Sequence, residues 1–287
     1  AARRRRRLPR DRARLRAAAD ARAGRSRHRT GRSAAGTRTI AVTGSASGIG
    51  AATAAALERR GTRVIGVDLR DADVIGDLAT PTGRRGVVEE ISALAGVGLD
   101  GVIACAGVAT LQAAQPTVVS VNYFGVVDVV DALRPLLAAR PEPAVAVVAS
   151  VAMLRGASQP LVDACLSGDE ERACAIAADG TAAYASSKRA LARWVRRRAP
   201  TQLWAGAGIC LNAVSPGVVR TPMTALELDD DRLRDDLLTQ IDQPMGAVGR
   251  PEYIAGALAW LTSAENRFTT GQVLYVDGGF EARATGD

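Results

Sequence analysis

Tyr184 and Lys188 stand four residues apart in Tyr184-Ala185-Ser186-Ser187-Lys188, and Lys188 is the one lysine in a chain with 36 arginines. At i and i+4 the two side chains share a helical face. A tyrosine with its ordinary pKa near 10 is a poor base at neutral pH. A cation held one turn away stabilises the phenolate and lowers that pKa. The pair therefore predicts proton exchange between a phenol and a substrate oxygen. Arginine is this chain's habitual cation, so a lone lysine here points to a need for a compact ammonium, not a planar guanidinium. A surface tyrosine lying along a lysine stem is the plainer alternative. Two more polar residues sit where strands end or core helices run. Ser150 follows the apolar run AVAVVA and can donate to a carbonyl oxygen. Asn122, in Val121-Asn122-Tyr123, can link toward Lys188 through backbone or water. A helix start for Ser150 and a satisfied buried amide for Asn122 are the local alternatives.

A second constellation is suited to phosphate. Thr43-Gly44-Ser45-Ala46-Ser47-Gly48-Ile49-Gly50 follows an apolar run and leads into an Ala-rich helix. Gly44, Gly48 and Gly50 permit a tight turn, and with Ser47 and Ile49 they bring backbone N–H groups and a helix N-terminus to a pyrophosphate. The spacing is G-x₃-G-x-G, and a purely structural strand-to-helix turn would use the same residues. Asp68 ends the next apolar run, GVD, 18 residues beyond Gly50. A carboxylate there accepts from both ribose hydroxyls of adenosine and repels a 2′-phosphate, which predicts NAD(H) over NADP(H). Arg70 nearby is the one residue that could accommodate a phosphate.

The remaining residue types exclude much. The only histidine, His28, lies in an arginine-rich leader, so His-dependent triads are excluded from the body. With one His and four cysteines (Cys105, Cys165, Cys174, Cys210) lacking a CxxC pair, no metal site is expected. Scattered thiols in a chain this long predict reduced cysteines and a cytoplasmic location. The net charge of +7 divides unevenly, with 15 Arg and 2 Asp within residues 1–38 and a net −6 over the rest. An acidic body with 3% aromatic residues is not expected to bind nucleic acid. The leader, Ala1 to about Gly36, is predicted disordered. A transit peptide, a nucleic-acid arm, an anionic-surface tether or a plain solvated extension are its possible readings. No stretch approaches 18 consecutive apolar residues, so no membrane span is expected.

From residue 38 short apolar runs alternate with amphipathic stretches. Strands are predicted at 38–42, 63–67, 74–78, 101–106, 144–149, 209–214 and 272–276. Helices are predicted at about 47–60, 84–95, 112–139, 184–198 and 252–262. Near-continuous apolar strands separated by helices imply a doubly wound, mostly parallel seven-stranded α/β sheet with helices on both faces, in a single domain over residues 37–287. Ligands in such sheets bind at the carboxyl ends of the strands, where the strand order reverses.

Taken together, these residues resemble the short-chain dehydrogenase/reductase family over residues 38–280. The resemblance implies that Asn122, Ser150, Tyr184 and Lys188 form a catalytic tetrad. It also implies that Asp77 and Leu78 contact adenine, and that Cys105-Ala106-Gly107 occupies the place of an Asn-Ala-Gly segment. Pro216, Gly217, Val219 and Thr221 would hold the nicotinamide carboxamide, and Val276-Asp277-Gly278-Gly279 resembles a C-terminal sheet signature. Cys105 departs from the usual Asn, which puts the inter-strand hydrogen bonds there in doubt. Ser150 and Tyr184 are also 34 residues apart, far more than is common in the family. The extra segment, about 154–181, contains a helix-like stretch, LVDACLSGDEERACAIAADG. With Val121-Asn122-Tyr123-Phe124-Gly125, it resembles the bacterial 3α-hydroxysteroid dehydrogenase/carbonyl reductase branch. That branch implies NAD-linked interconversion of a secondary alcohol and a ketone on a small-molecule substrate, a 3α-hydroxysteroid or another bulky carbonyl compound. A reductase of a 3-oxoacyl thioester or sugar alcohol, and a non-catalytic NAD-binding regulator, are the alternatives. Leu154, Leu161, Met223, Leu226 and Leu237 are candidate substrate-wall residues, and residues 223–245 a candidate lid. A homo-oligomer, with a dimer favoured, is expected through helices 112–139 and 184–204, unless the extra segment blocks that face.

Overall fold

The structure, a computed structural model, describes residues 37–180 and 182–286. The leader for which disorder is expected lies outside the described residues. Seven strands form one sheet: β1 (Thr39–Thr43), β2 (Arg63–Asp68), β3 (Val74–Ile75), β4 (Gly101–Ala104), β5 (Ala144–Val148), β6 (Cys210–Pro216) and β7 (Val273–Val276). They lie in the order β3-β2-β1-β4-β5-β6-β7, and every neighbouring pair is parallel. Every residue of β4, β5 and β6 is buried. Strands covered on both faces have no polar side to alternate with, which is why their sequences read as unbroken apolar runs. One core layer contains Val102, Val145, Val147, Leu191 and Leu211, and the other contains Ile40, Val42, Ile103, Ala146 and Leu258. From β1 the chain builds outward to β2 and β3, then crosses back to place β4 on the other side of β1. That reversal opens a crevice above the carboxyl ends of β1 and β4.

Helices α1 (Gly48–Glu58) and α2 (Pro81–Ala95) follow β1 and β3. Thr80 starts α2, its hydroxyl accepting from Gly83 N with Pro81 as the first helical residue. The long helix α3 runs Gln115–Ala138 and contains a π turn at Ser120–Phe124. By length and mean hydropathy it could cross a membrane, but 61% of its apolar window is buried, and it packs against β4 and β5. It is the core helix of this domain.

The helix-like stretch before Tyr184 is two helices, α4 (Gln159–Ser167) and α5 (Glu170–Ala178). Gly168, at φ 78°, ends the first, and the Asp169 carboxylate accepts from Arg172 N to start the second. Helix α4 packs on α6 (Ala183–Arg198), and α5 packs on α3. Arg84, 2% exposed, fastens this pair to the body. Its guanidinium meets both carboxylate oxygens of Glu170, and its Nε lies 3.1 Å from Asp128. The outer face of α3 and α6 is therefore covered along this part by the chain's own helices, so the extra segment reshapes the face through which pairing is expected. Helix α6 ends at Arg198, as predicted, short of the 204 at which the dimer face is placed. The chain turns there so that Trp204, fully buried, meets Trp194 edge-on with ring centroids 5.9 Å apart.

Candidate active site

The crevice above β1 and β4 is lined at one end by the glycine turn. Two glycines there are dictated by contact. A Cβ on Gly44 (φ 71°) would lie 2.8 Å from Ala106 N, and one on Gly50 would lie 1.9 Å from the Gly44 carbonyl oxygen. Ser47, Gly48 and Ile49 line the same crevice at the N-terminus of α1. Asp68, at the end of β2, accepts from Leu69 N through Oδ1 (2.7 Å) and from Ala46 N through Oδ2 (3.0 Å). One carboxylate thus ties the second strand to the turn, and each oxygen retains acceptor capacity toward the crevice. Asp77 and Leu78 line the wall beside it. Arg70 is exposed and does not line the crevice.

The segment after β4 forms the floor. Cys105 N donates to Thr43 O (3.1 Å), and Ala106 N donates to Thr43 Oγ1 (3.2 Å). The link between β4 and β1 is therefore made by Thr43. Burial pushes the Cys105 thiol up to about 12, against a hydrogen bond from Thr53 and the charge of Lys188, so it stays a neutral thiol. Gly107 lies against Asn122 and Lys188. Asn122, fully buried in the π turn of α3, uses both ends of its amide on one residue. Oδ1 accepts from Val108 N (2.9 Å), and Nδ2 donates to Val108 O (3.0 Å). The amide side chain is thus committed to the loop after β4, at which the π turn aims it.

Tyr184 and Lys188 lie on α6 at the other end of the same crevice. Lys188, 3% exposed, donates to the Val148 carbonyl (2.8 Å), and its Nζ is 5.8 Å from the Tyr184 ring centroid. Ser150 accepts from Ala152 N (3.2 Å), opening the 3₁₀ turn Val151–Leu154, and it also hydrogen-bonds Tyr184. The local reading of Ser150 as the start of a turn therefore holds, and its hydroxyl also acts on Tyr184. The electrostatics correct the expected influence of Lys188. Burial raises the Tyr184 pKa; the Ser150 hydrogen bond lowers it and Glu227 raises it further. Burial pulls Lys188 down to about 8, with Cys105 acting weakly the other way. Desolvation disfavours both charged forms, and the ammonium is committed to a carbonyl and not to the phenol.

Pro216, the last residue of β6, and Gly217, Val219 and Thr221 after it also line the crevice. Sequence reading missed what holds them. Gln243, 8% exposed, accepts from Val218 N through Oε1 (2.6 Å) and donates to Ala247 O through Nε2 (2.8 Å). Gly217 is required beside it, since a Cβ there would lie 2.0 Å from Gln243 Oε1. A glutamine 25 residues from its partner leaves no local signal in a sequence. Gln243→Leu strands a buried N–H and a carbonyl, and its expected cost is about 1–3 kcal/mol. Urea unfolding reads it directly; an unchanged midpoint would remove the clamp.

Gln112 and Thr224 also line the crevice without having been singled out. Gln112 Nε2 reaches the Pro222 carbonyl (3.4 Å), and Thr224 Oγ1 donates to Val219 O (2.6 Å). Of the five candidate wall residues only Met223 lines the crevice. Leu161 is fully buried in the core and Leu154 packs on it, while Leu226 is 61% exposed. Leu237 lies on α8 (Asp231–Gln240), which with α7 (Ala225–Asp229) forms the 223–245 segment; no residue of α8 is buried. Among the described residues no His, Cys, Asp or Glu cluster could hold a metal ion.

Residues 38–161 match the profile of the family described as short chain dehydrogenase, and residues 172–281 that described as Enoyl-(Acyl carrier protein) reductase. Over 250 residues the chain is 38% identical to the 3-alpha-hydroxysteroid dehydrogenase/carbonyl reductase of Comamonas testosteroni, covering 85% of this chain and 96% of that protein. It is 31% identical over 270 residues to the cis-4-hydroxycyclohexanecarboxylate dehydrogenase of Sinomonas cyclohexanicum, covering 85% and 97%. Among solved structures, the 3-alpha-hydroxysteroid dehydrogenase from Pseudomonas sp. B-0831 complexed with NADH superposes with a TM-score of 0.82 at 40% identity, covering 87% of this chain and 99% of that one.

Proposed function

The chain belongs to the short-chain dehydrogenase/reductase family of oxidoreductases, and from that premise we propose that it is an NAD(H)-dependent enzyme interconverting a secondary alcohol and a ketone on a 3α-hydroxysteroid or a similarly bulky carbonyl compound. One observation carries the proposal. Tyr184, hydrogen-bonded to Ser150 and flanked by the sole lysine, stands at one end of a crevice whose other end is a glycine turn tied to Asp68. The substrate class rests on the hydroxysteroid and carbonyl names of the relatives and on Met223 among the lining residues.

The residues present fit a dinucleotide. The Gly44 and Gly50 positions admit no Cβ, so the turn closes tightly against the α1 N-terminus, where a pyrophosphate would be stabilised. Ser47, Gly48 and Ile49 complete that cradle. Asp68 would take the adenosine ribose, Asp77 and Leu78 the adenine side, and Cys105, Ala106 and Gly107 the floor. Pro216, Gly217, Val219 and Thr221 would take the nicotinamide end. Bound there, the nicotinamide supplies or accepts the hydride. The protein's own contribution is positional and protonic. Tyr184 Oη takes or gives the hydroxyl proton, and Ser150 orients the substrate oxygen. Lys188 supplies a compact cation beside the phenol, and Asn122 fixes the loop at Val108 that the substrate would meet. Asp68→Ala removes both the ribose acceptor and the tie to Ala46. The expected outcome is a KM for NAD raised about tenfold and a relaxed preference against NADP, measured by initial rates with each cofactor.

The domain reading, residues 37–287 with an extra helical segment at about 154–181, and a cytoplasmic location belong to the same proposal. Four free cysteines support the latter. A homodimer belongs to the proposal too. With the α3–α6 face partly covered, exposed Leu274 on the edge strand β7, with exposed Tyr253, Trp260 and Phe268 elsewhere on the surface, supplies apolar surface for it. The test is absorbance at the NADH band with a panel of hydroxysteroids, ketones and quinones. Turnover of hydroxysteroids is expected. NAD binding with no turnover across the panel would overturn the enzyme reading.

A further inference from the structure

Arg84 on α2 does more than fasten the extra helices. Its buried Nη1 reaches three acceptors: Glu170 Oε1 (3.1 Å), Ser120 O (3.3 Å) and Leu78 O (3.4 Å). A terminal guanidinium nitrogen carries two N–H groups. With one given to Glu170, the other is shared by the two backbone carbonyls. Leu78 O belongs to the loop after β3, whose Asp77 and Leu78 line the crevice. Ser120 opens the π turn of α3, which carries Asn122 and presents Val121 to the same crevice. One guanidinium thus joins two separate lengths of crevice wall. The carboxylate that holds its plane comes from the first residue of α5, in the extra segment, and uses both oxygens. A bidentate pair fixes the orientation of the fork as well as its position. The wall has little slack here. A Cβ on Gly125, directly after the π turn, would lie 3.0 Å from Leu78 Cβ and 3.1 Å from Leu78 O, so Leu78 rests on the α3 backbone itself. A second contact of α5 falls on the same turn, where Cys174 Sγ lies 3.4 Å from Ser120 Oγ.

We propose that Glu170 and Arg84 are positioning residues for the cofactor: through this pair the extra segment sets the crevice wall at Leu78, and with it the affinity for NAD(H). Neither residue lines the crevice, so both act through Leu78 and Ser120. The inference rests on the dinucleotide reading given above. Asp128 stays 3.1 Å from Arg84 Nε whatever stands at position 170. Loss of Glu170 therefore leaves the buried cation with a counter-charge, and the fold should survive it.

Calorimetry and initial rates on the full-length protein test it. In Glu170→Ala the Kd for NAD and that for ADP-ribose, which lacks the nicotinamide, should rise by the same factor, about fivefold or more. At saturating NAD, kcat and the KM for a hydroxysteroid should stay within about twofold of the wild type. Arg84→Lys keeps the charge without the fork and should show the same loss, to which adding Glu170→Ala contributes little, because both act through one contact. Thermal midpoints establish that each variant folds, and Glu170→Ala carries the test alone if Arg84→Lys does not. Val162→Ala, fully buried on α4, loosens the extra helices without touching Arg84; it should lower the midpoint and leave both Kd values unchanged. Wild-type affinities in Glu170→Ala overturn the proposal and leave the NAD site standing. An equal rise in Val162→Ala reduces the pair to general stability and also overturns it, as does a fall in kcat with both Kd values unchanged. If the wild type binds neither NAD nor ADP-ribose, the dinucleotide reading fails and takes the proposal with it.

Discussion

Tyr184→Phe should leave cofactor binding and folding nearly intact and lower kcat by about 10²–10⁴-fold. The substitution deletes one oxygen. The ring keeps its place on α6 beside Lys188, and the Lys188–Val148 hydrogen bond does not involve the phenol. What disappears is the group that exchanges a proton with the substrate oxygen. The direction of the Tyr184 shift adds a sign. Because burial raises its pKa, the phenol of the free enzyme is protonated at neutral pH, which is the form that donates to a carbonyl. Reduction of a ketone therefore starts from the ready state, whereas oxidation of an alcohol requires the phenolate. For the oxidation, kcat/KM should climb with pH above neutrality until Lys188 loses its proton near pH 8, and for the reduction it should fall with rising pH. Ser150 supplies the hydrogen bond that lowers the Tyr184 pKa, so Ser150→Ala should move the rise in oxidation to higher pH besides slowing it. Initial rates in both directions between about pH 6 and 10 measure this. A near-normal kcat in Tyr184→Phe would refute the assignment.

The parts of the site legible in the sequence are those whose signal is local. Gly44 and Gly50 announce a turn because each is needed by a contact within the turn or with the next strand's end. Tyr184 and Lys188 are paired by helical spacing alone. The unbroken apolar runs of β4 and β5 predicted a sheet covered on both faces, and the order of strands and helices gave its parallel pairing. What escaped has a common physical cause, which is dependence on partners distant in sequence or on a single inserted residue. The π turn at Ser120–Phe124 adds one residue to a helical turn without altering composition, yet it decides that Asn122 reaches Val108. Gln243 holds Val218 across 25 residues. The pair α4 and α5 read as one stretch because Gly168-Asp169 breaks a helix only by its conformation. The direction of the Tyr184 shift is not legible in the sequence because spacing reports which charges are near, but not how far both groups are removed from water.

Lys188→Arg should be as damaging as removing the lysine outright, with kcat/KM down about 10²-fold or more although the charge is kept. The ammonium has room for one hydrogen bond, to Val148 O at 2.8 Å, and it lies 3.5 Å from where a Cβ on Gly107 would be. A guanidinium brings five N–H donors in a rigid plane to a place with one acceptor, and each unsatisfied buried donor costs about 1–3 kcal/mol. Arginine also cannot shed its proton, whereas burial brings Lys188 from the ordinary 10.5 to about 8. Two measurements separate charge from shape. The first is stability against pH. A lysine whose folded pKa lies below its unfolded one leaves the unfolded state binding more protons between about 8 and 10.5. Stability then rises with pH across that window, once alkaline titration of other groups is subtracted. Lys188→Met should abolish that rise and be at least as stable as the wild type at neutral pH, since no buried charge remains, while turnover is lost. The second is the pH–rate profile. A limb near pH 8 owed to loss of the Lys188 proton should be absent from whatever activity Lys188→Arg retains. If Lys188→Arg turned over like the wild type with that limb unchanged, the compact, titratable ammonium would have no part in the reaction, and the lone lysine among 36 arginines would be an accident of composition.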